Sequence, residues 1–357
     1  MDRVDQMMQR AVERGWFPAA CLLVAHEGQP VLHRAWGRPG RIDTVFDLAS
    51  LTKALATTSV IMQLVARGDL DPDDPVRRWL PEIDRPETRR MRLVHLLGHC
   101  SGLPAWLPLY QHPRVLGATA SRRRDVVRRL VATTPLAYRT GRDTQYSDLG
   151  FILLDWVLQR CGEQRLDRLA DALVFRPLGL SRTRFVDLLR PDLAPELRHR
   201  WPFAATERCP WRGPRLWAQV HDDNCAVMGG IAGHAGLFST AHDIHLITRE
   251  LVAAYHDERS LFDPAVVRRF LTRRPRRDAT RVLGWDTPGP RSSSGRFFGP
   301  RSVGHLGFTG TSLWIDLPRR VWVILLTNRV YHGREPNPMR WLRPRLHDAI
   351  MRRWSTR

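Results

Sequence analysis

The 357 residues carry 56 lysines plus arginines against 36 aspartates plus glutamates, a formal charge of +20, and 43% of them are hydrophobic. The hydrophobic share is that of a globular protein with room for a real core, in one large domain or two modest ones, and no run of about 18 apolar residues exists to span a membrane. The charge invites a polyanion partner, but the arginines are spread along the chain, with dense patches only at "SRRRDVVRR" (121–129) and "RRPRR" (273–277). Neither patch is interleaved with aromatics or set in a recognition motif, so no specific nucleic-acid binding is expected, only loose adhesion at low salt.

Five cysteines (Cys21, Cys100, Cys161, Cys209, Cys225) are scattered without a C-x-x-C pair. They read as free thiols in a reducing compartment.

The chain opens on charged amphipathic sequence that lacks the apolar core of a secretory signal, which predicts a cytoplasmic protein, or a periplasmic one if the start is incomplete. A helix is expected over about 2–14. "AACLLVAHEGQPVLHRAWG" then gives two apolar runs about Gly28, Gln29 and Pro30, a β-hairpin. Residues 50–67 have helical apolar spacing, with Ser50 near the start and Gly68 after the end. From about 70 to 250 the sequence is helical and loop-rich, without clear strand alternation. The segment 286–301, "DTPGPRSSSGRFFGPR", reads as a mobile loop. Strand character returns at 302–328 as two runs joined at "DLPRR", a second hairpin, and a helix from about 338 to 353 closes the chain. The expected fold is α+β: one domain over 1–357, a sandwich whose sheet lobe (about 1–68 and 250–357) joins both ends of the chain, plus a helical subdomain (about 70–250).

Lys53 is the only lysine, so the other 56 − 1 = 55 basic residues are arginines. Arginine stays protonated, whereas a buried lysine can release its proton and serve as a base. Ser50 lies three residues earlier, on the same helical face, at a helix start whose free N–H groups can hold an oxyanion. An adjacent amine can activate the serine if its pKa is lowered. Taken alone, S-x-x-K is frequent by chance. Two further elements follow: "TGRDTQYSDLG", with Tyr146, Ser147 and Asp148 before an apolar helix, and "GHLGFTG" on a strand. Taken singly, Tyr146 could be a packing residue, Ser147 or Asp148 an N-cap, and His305 a buried histidine.

The order Ser50-Leu51-Thr52-Lys53, Tyr146-Ser147-Asp148, His305-Leu306-Gly307 resembles the serine β-lactamase and penicillin-binding protein superfamily, most closely its class C and esterase-like branch. The flanks "LVHLLGHCSGLP", "VFRPLGL", "VHDDNCAVMGGIAGHAGLFSTAHDI" and "GFTGTSLWID" extend the resemblance over about residues 5–350. It implies a β-lactamase/DD-peptidase-like sandwich and an acyl-enzyme on Ser50, with Lys53 as proton acceptor and Tyr146 as the shared acid/base. Asp148 stands where asparagine is usual and would contact the substrate amide and the lysine. His305 stands where lysine occurs in the penicillin-binding branch, and Gly307 would leave room for substrate along the strand. The Ser50 and Phe308 N–H groups would form the oxyanion hole.

Two departures sharpen the expectation. Asp148 should raise the Lys53 pKa and shift proton transfer toward a Tyr146 whose own pKa is lowered by the Lys53 cation. A neutral His305 supplies less fixed charge than lysine for a carboxylate, so the expected substrates are esters, then peptide amides ending in a D-amino acid, then β-lactams. An alternative register, Phe308-Thr309-Gly310, also reads x-T-G, and only one register of a strand can face the cleft.

No G-x-S-x-G elbow occurs. His221, His234, His242 and His245 cluster in sequence, but without H-E-x-x-H or a carboxylate-rich loop, so no metal or other cofactor is expected. His221, Asp222 and Asn224 in "VHDDN" are placed at the cleft. The expected partner is a small-molecule or peptide substrate. The rival from another class is a catalytically inactive ligand-binding module, which loss of Ser50, Lys53 or Tyr146 would favour.

Overall fold

The computed structural model describes residues 2–213, 215–276, 279–290 and 292–355. Arg277 of the second basic patch and Arg291 of the 286–301 segment fall outside them. The strands are β1 (Ala19–His26), β2 (Gln29–Gly37), β3 (Phe46–Asp47), β4 (Arg184–Phe185), β5 (Leu237–Ser239), β6 (Arg281–Val282), β7 (Trp285–Asp286), β8 (Ser302–Leu306), β9 (Ser312–Asp316) and β10 (Val321–Thr327). Seven form one antiparallel sheet in the order β2-β1-β10-β9-β8-β7-β6, and β3-β5-β4 form a small second sheet.

The large sheet closes the two ends of the chain on each other because β1 pairs with β10 along its length, Ala20 opposite Thr327 through His26 opposite Val321. Both strands are apolar at almost every position, and alternation sends their side chains to two cores. Cys21, Leu23, Trp322, Ile324 and Leu326 face the main core. Leu22, Val24, Val323 and Leu325 face a second one, covered by helices Asp2–Glu13 and Met339–Met351 through Val4, Met8, Leu342 and Leu346. Helix Ala241–Tyr255 packs on the main-core face, where Trp322 Nε1 donates to His245 Nδ1 at 3.2 Å.

The late β segment differs from the expected hairpin. The run before "DLPRR" is two strands, β8 and β9, separated by a tight turn over 307–311 in which Gly307 N–H donates to Thr311 O at 2.8 Å and Gly310 takes φ +107°. That φ suits only glycine, and its place between two β-rich runs read as one strand hid the turn. The question of which register faces the cleft therefore dissolves: His305 ends a strand and Phe308 stands on a turn. The 286–301 segment is tied down at Ser293, whose hydroxyl accepts from Trp314 Nε1 at 3.1 Å and whose carbonyl contacts His347 Nδ1 at 2.7 Å. The expected 50–67 helix exists, with a π-helical first part, Lys53–Thr58, leading into Ser59–Ala66. Such widened turns recur at functional sites.

Gly304 sits opposite Trp314, and a Cβ there would lie 2.3 Å from the indole ring and 2.7 Å from Leu313 O. Gly304→Ala is expected to cost about 1–3 kcal/mol of stability by overpacking. Urea denaturation should show the lower midpoint with an unchanged slope.

Candidate active site

Ser50 follows Ala49, whose φ of +47° is a conformation a side-chain-bearing residue rarely adopts. Buried Asp47 holds this turn: its Oδ1 accepts Ala49 N–H at 2.8 Å, and its Oδ2 accepts His221 N–H at 2.6 Å. Burial pushes the Asp47 pKa up, and those two N–H donors oppose the push. From the other side β5 braces the turn, with Leu48 N–H donating to Leu237 O at 2.9 Å and Leu237 N–H to Thr52 Oγ1 at 3.1 Å.

Lys53 is fully buried. Its Nζ donates to Ser50 Oγ at 2.9 Å and to His234 O at 2.9 Å, and pairs with Asp148 Oδ1 at 2.7 Å. Burial works against the ammonium, but the Asp148 carboxylate, helped by Tyr146, outweighs it and holds the Lys53 pKa above its usual value. The direction is the one Asp148 led us to expect. Tyr146 departs from expectation. Burial pushes its phenol up, the Lys53 cation pulls it back, and the Asp148 carboxylate pushes it up again, leaving it above its ordinary value. The phenol hydroxyl interacts with both Ser50 and Lys53, and its ring lies 5.0 Å from Lys53 Nζ.

The 307–311 turn is bolted to the serine turn. Thr309 Oγ1 donates to Asp47 O at 2.7 Å and Thr311 Oγ1 to Leu48 O at 3.0 Å. Among the described residues neither the Ser50 N–H nor the Phe308 N–H donates to another group, the condition for an oxyanion hole. Gly307 serves this seam and not substrate clearance, since a Cβ there would lie 2.4 Å from Leu48 O and 2.0 Å from Thr311 Oγ1.

His305 is brought near but not into the cleft. It is buried behind Tyr146, ring centroids 6.0 Å apart, and its Nδ1 contacts Leu306 O at 2.9 Å. Burial first, then Lys53 and Arg281, press its pKa well below the usual value. It therefore stays neutral and offers no charge to a substrate carboxylate. Asn224 also stands back. It accepts Tyr110 N–H at 3.0 Å and donates to Leu107 O at 2.9 Å, fixing the loop that overhangs the site. His221 faces Phe308 in a stack, centroids 5.6 Å apart.

The cleft, about 340 Å³, is lined by Ser50, Tyr146, Asp148, Trp106, His221, Asp222, Phe308 and Arg334, among others. The first of its supports carries no local sequence signal. His99, with φ +56°, is buried against the Tyr146 ring at 4.5 Å, and its Nδ1 accepts Ser147 N–H at 3.0 Å. Burial, then the Arg281 and Lys53 cations, keep it neutral. Ser147 does not cap the helix that Asp148 begins; its hydroxyl donates to Pro104 O at 2.6 Å. Asp222 contacts His234 Nε2 at 2.9 Å, and although burial would raise its pKa, the histidine outweighs that and lowers it. Exposed Arg334 is held by Glu207 and Asp223, at 2.6 and 3.0 Å. Among the described residues no three His, Cys, Asp or Glu side chains are grouped to hold a metal, and no helix is long and apolar enough to cross a membrane.

Comparison with known proteins gives the family and the fold. The beta-lactamase family model matches residues 4–345. A Salmonella agona (strain SL483) protein named "Putative D-alanyl-D-alanine carboxypeptidase" is 32% identical over 368 aligned positions, covering 95% of this chain and 84% of the relative. Among solved structures, EstCE1, a hydrolase with promiscuous acyltransferase activity, superposes with a TM-score of 0.71 at 20% identity, covering 96% of this chain and 98% of that one. An octameric penicillin-binding protein homologue from Pyrococcus abyssi gives 0.74 at 17% identity, over 98% of this chain and 77% of that one.

Asp47→Ala would leave two buried N–H donors without an acceptor. At about 1–3 kcal/mol each, a stability loss of roughly 2–6 kcal/mol is expected in thermal or urea denaturation, together with loss of activity from the released turn.

Proposed function

The chain belongs to the beta-lactamase family of serine hydrolases, and from that premise we propose that it forms an acyl-enzyme on Ser50 and hydrolyses a small ester, with peptide amides ending in a D-amino acid second. The observation that carries this reading is the contact of Lys53 Nζ with Ser50 Oγ at 2.9 Å, with the fully buried ammonium paired to an Asp148 that lines the cleft.

In the resting site Ser50 and Tyr146 hold their protons and Lys53 is an ammonium paired with Asp148. The Lys53–Tyr146 pair must first lose one proton to become basic. Its deprotonated member then takes the Ser50 proton as Oγ bonds to the carbonyl carbon, and the carbonyl π electrons move to the oxygen, held by the Ser50 and Phe308 N–H groups. Collapse of the tetrahedral adduct breaks the bond to the leaving group, which Tyr146 protonates. Water repeats the sequence on the acyl-enzyme and releases the acid and free Ser50.

The neutrality of His305 supports an uncharged ester over a penicillin, whose carboxylate it cannot pair. The name of the Salmonella agona relative supports the D-amino-acid amide as the second class. The unpaired cysteines support a reducing compartment, hence the cytoplasm.

Ser50→Ala should reduce ester hydrolysis to the uncatalysed rate with an unchanged circular dichroism spectrum. Lys53→Arg, permanently protonated, should lower kcat by about a hundredfold or more. Because the basic form of the pair is the active one and both its pKa values are raised, kcat/KM on a neutral ester should climb with pH across about 7–10. Asp148→Asn removes the charge that raises both groups, so the rising limb should move to lower pH by about one unit or more. A limb that stays put, or moves up, contradicts this assignment of protons.

A further inference from the structure

Large exposed aromatic side chains are costly in water unless they meet a partner. Two of them are Trp106 at 46% exposure and Trp211 at 49%. Trp106 lines the Ser50 cleft. Tyr110 bridges it to Trp211, with ring centroids 6.5 Å from Trp106 and 5.5 Å from Trp211, the second pair nearly parallel at 16°. The Arg212 guanidinium carbon lies 5.1 Å from the centre of the Trp211 ring. Together they form a continuous aromatic ledge running outward from the cleft.

The ledge is held with unusual care for a surface loop. Its 104–110 stretch is bonded at four points: Ser147 Oγ to Pro104 O at 2.6 Å, Asp148 N–H to Ala105 O at 2.9 Å, Asn224 Nδ2 to Leu107 O at 2.9 Å, and Tyr110 N–H to Asn224 Oδ1 at 3.0 Å. Two of these anchors, Ser147 and Asp148, adjoin Tyr146. Arg212 fixes the Trp211 side by donating to Val220 O and His221 O at 2.6 and 2.5 Å. The backbone that carries Trp106 and Tyr110 is thus set in position relative to Ser50 before any ligand arrives, and preorganised aromatic surface is a stacking site for a flat ring.

We propose that the Trp106–Tyr110–Trp211 ledge is a substrate subsite for an aromatic ring carried next to the scissile bond. The inference rests on the hydrolase reading for turnover but not for binding, so the test has two arms.

In the first arm, pH-stat rates are measured on ethyl acetate, ethyl phenylacetate and benzyl acetate: no ring, a ring on the acyl side, and a ring on the alcohol side. The ratio of kcat/KM for a ring-bearing ester to that for ethyl acetate should fall about tenfold in Trp106→Ala and in Trp211→Ala, through KM. The ester that shows the fall identifies the side the ledge serves. In the second arm, the same esters are titrated into Ser50→Ala protein and followed by tryptophan fluorescence. A saturable change with the ring-bearing esters, absent with ethyl acetate and lost in Ser50→Ala/Trp106→Ala, is expected. Retained ratios in both variants, or equal fluorescence responses to all three esters, would overturn the ledge. No turnover by the native protein together with ring-selective binding would overturn the ester reading and leave the ledge standing.

Discussion

Everything in the site is arranged around one buried ion pair. An isolated ammonium in the position of Lys53 would cost several kcal/mol of lost hydration, and Asp148, 2.7 Å away, makes its burial tenable. The pair joins the first turn after the nucleophile to the first turn of helix Asp148–Gly162, so the chain segments that carry the serine and the tyrosine cannot separate without exposing a charge. The π-helical turn from Lys53 and the His234 carbonyl complete the socket. Asp148 raises Lys53, and burial together with Asp148 keeps Tyr146 raised against the pull of the Lys53 cation, so the site is held together in a protonated, resting form.

Around that pair, backbone atoms are placed by side chains from distant segments. Asp47 gathers the Ala49 and His221 N–H groups, and Thr309 and Thr311 lock the oxyanion turn onto residues 47 and 48. His99 supplies a neutral wall for Tyr146, its ring tilted by 30° against the phenol ring. Each contact spans from a few residues to more than two hundred in sequence, and together they make a rigid constellation of the kind electrostatic stabilisation of an oxyanion requires.

Much of this was legible before any coordinates. A lone lysine three residues after a serine, a tyrosine ahead of an apolar helix and a glycine-rich late strand marked the three elements of the candidate site, and the apolar runs at both ends marked the sheet that joins them. What stayed hidden depends on tertiary placement. The turn at 307–311 hid within what read as one strand because its signal is the φ of Gly310. The direction of the Tyr146 shift depended on burial, which outweighs a neighbouring cation. His305 matched a motif position yet packs behind the tyrosine, and Asn224 serves the overhanging loop instead of the cleft. His99, Asp47 and the Trp106 ledge carry no local pattern, because their meaning comes from what the fold sets beside them.

The central claim is that Ser50 is an activated nucleophile and that the lone lysine activates it. Intact-protein mass spectrometry after incubation with a fluorophosphonate tests this most directly, with native protein, Ser50→Ala and Lys53→Arg treated in parallel. The account predicts a single adduct on the native chain, mapped by digestion to the peptide containing Ser50, absent from Ser50→Ala and strongly slowed in Lys53→Arg. A native chain that remains unmodified, or an adduct that persists in Ser50→Ala, would contradict it.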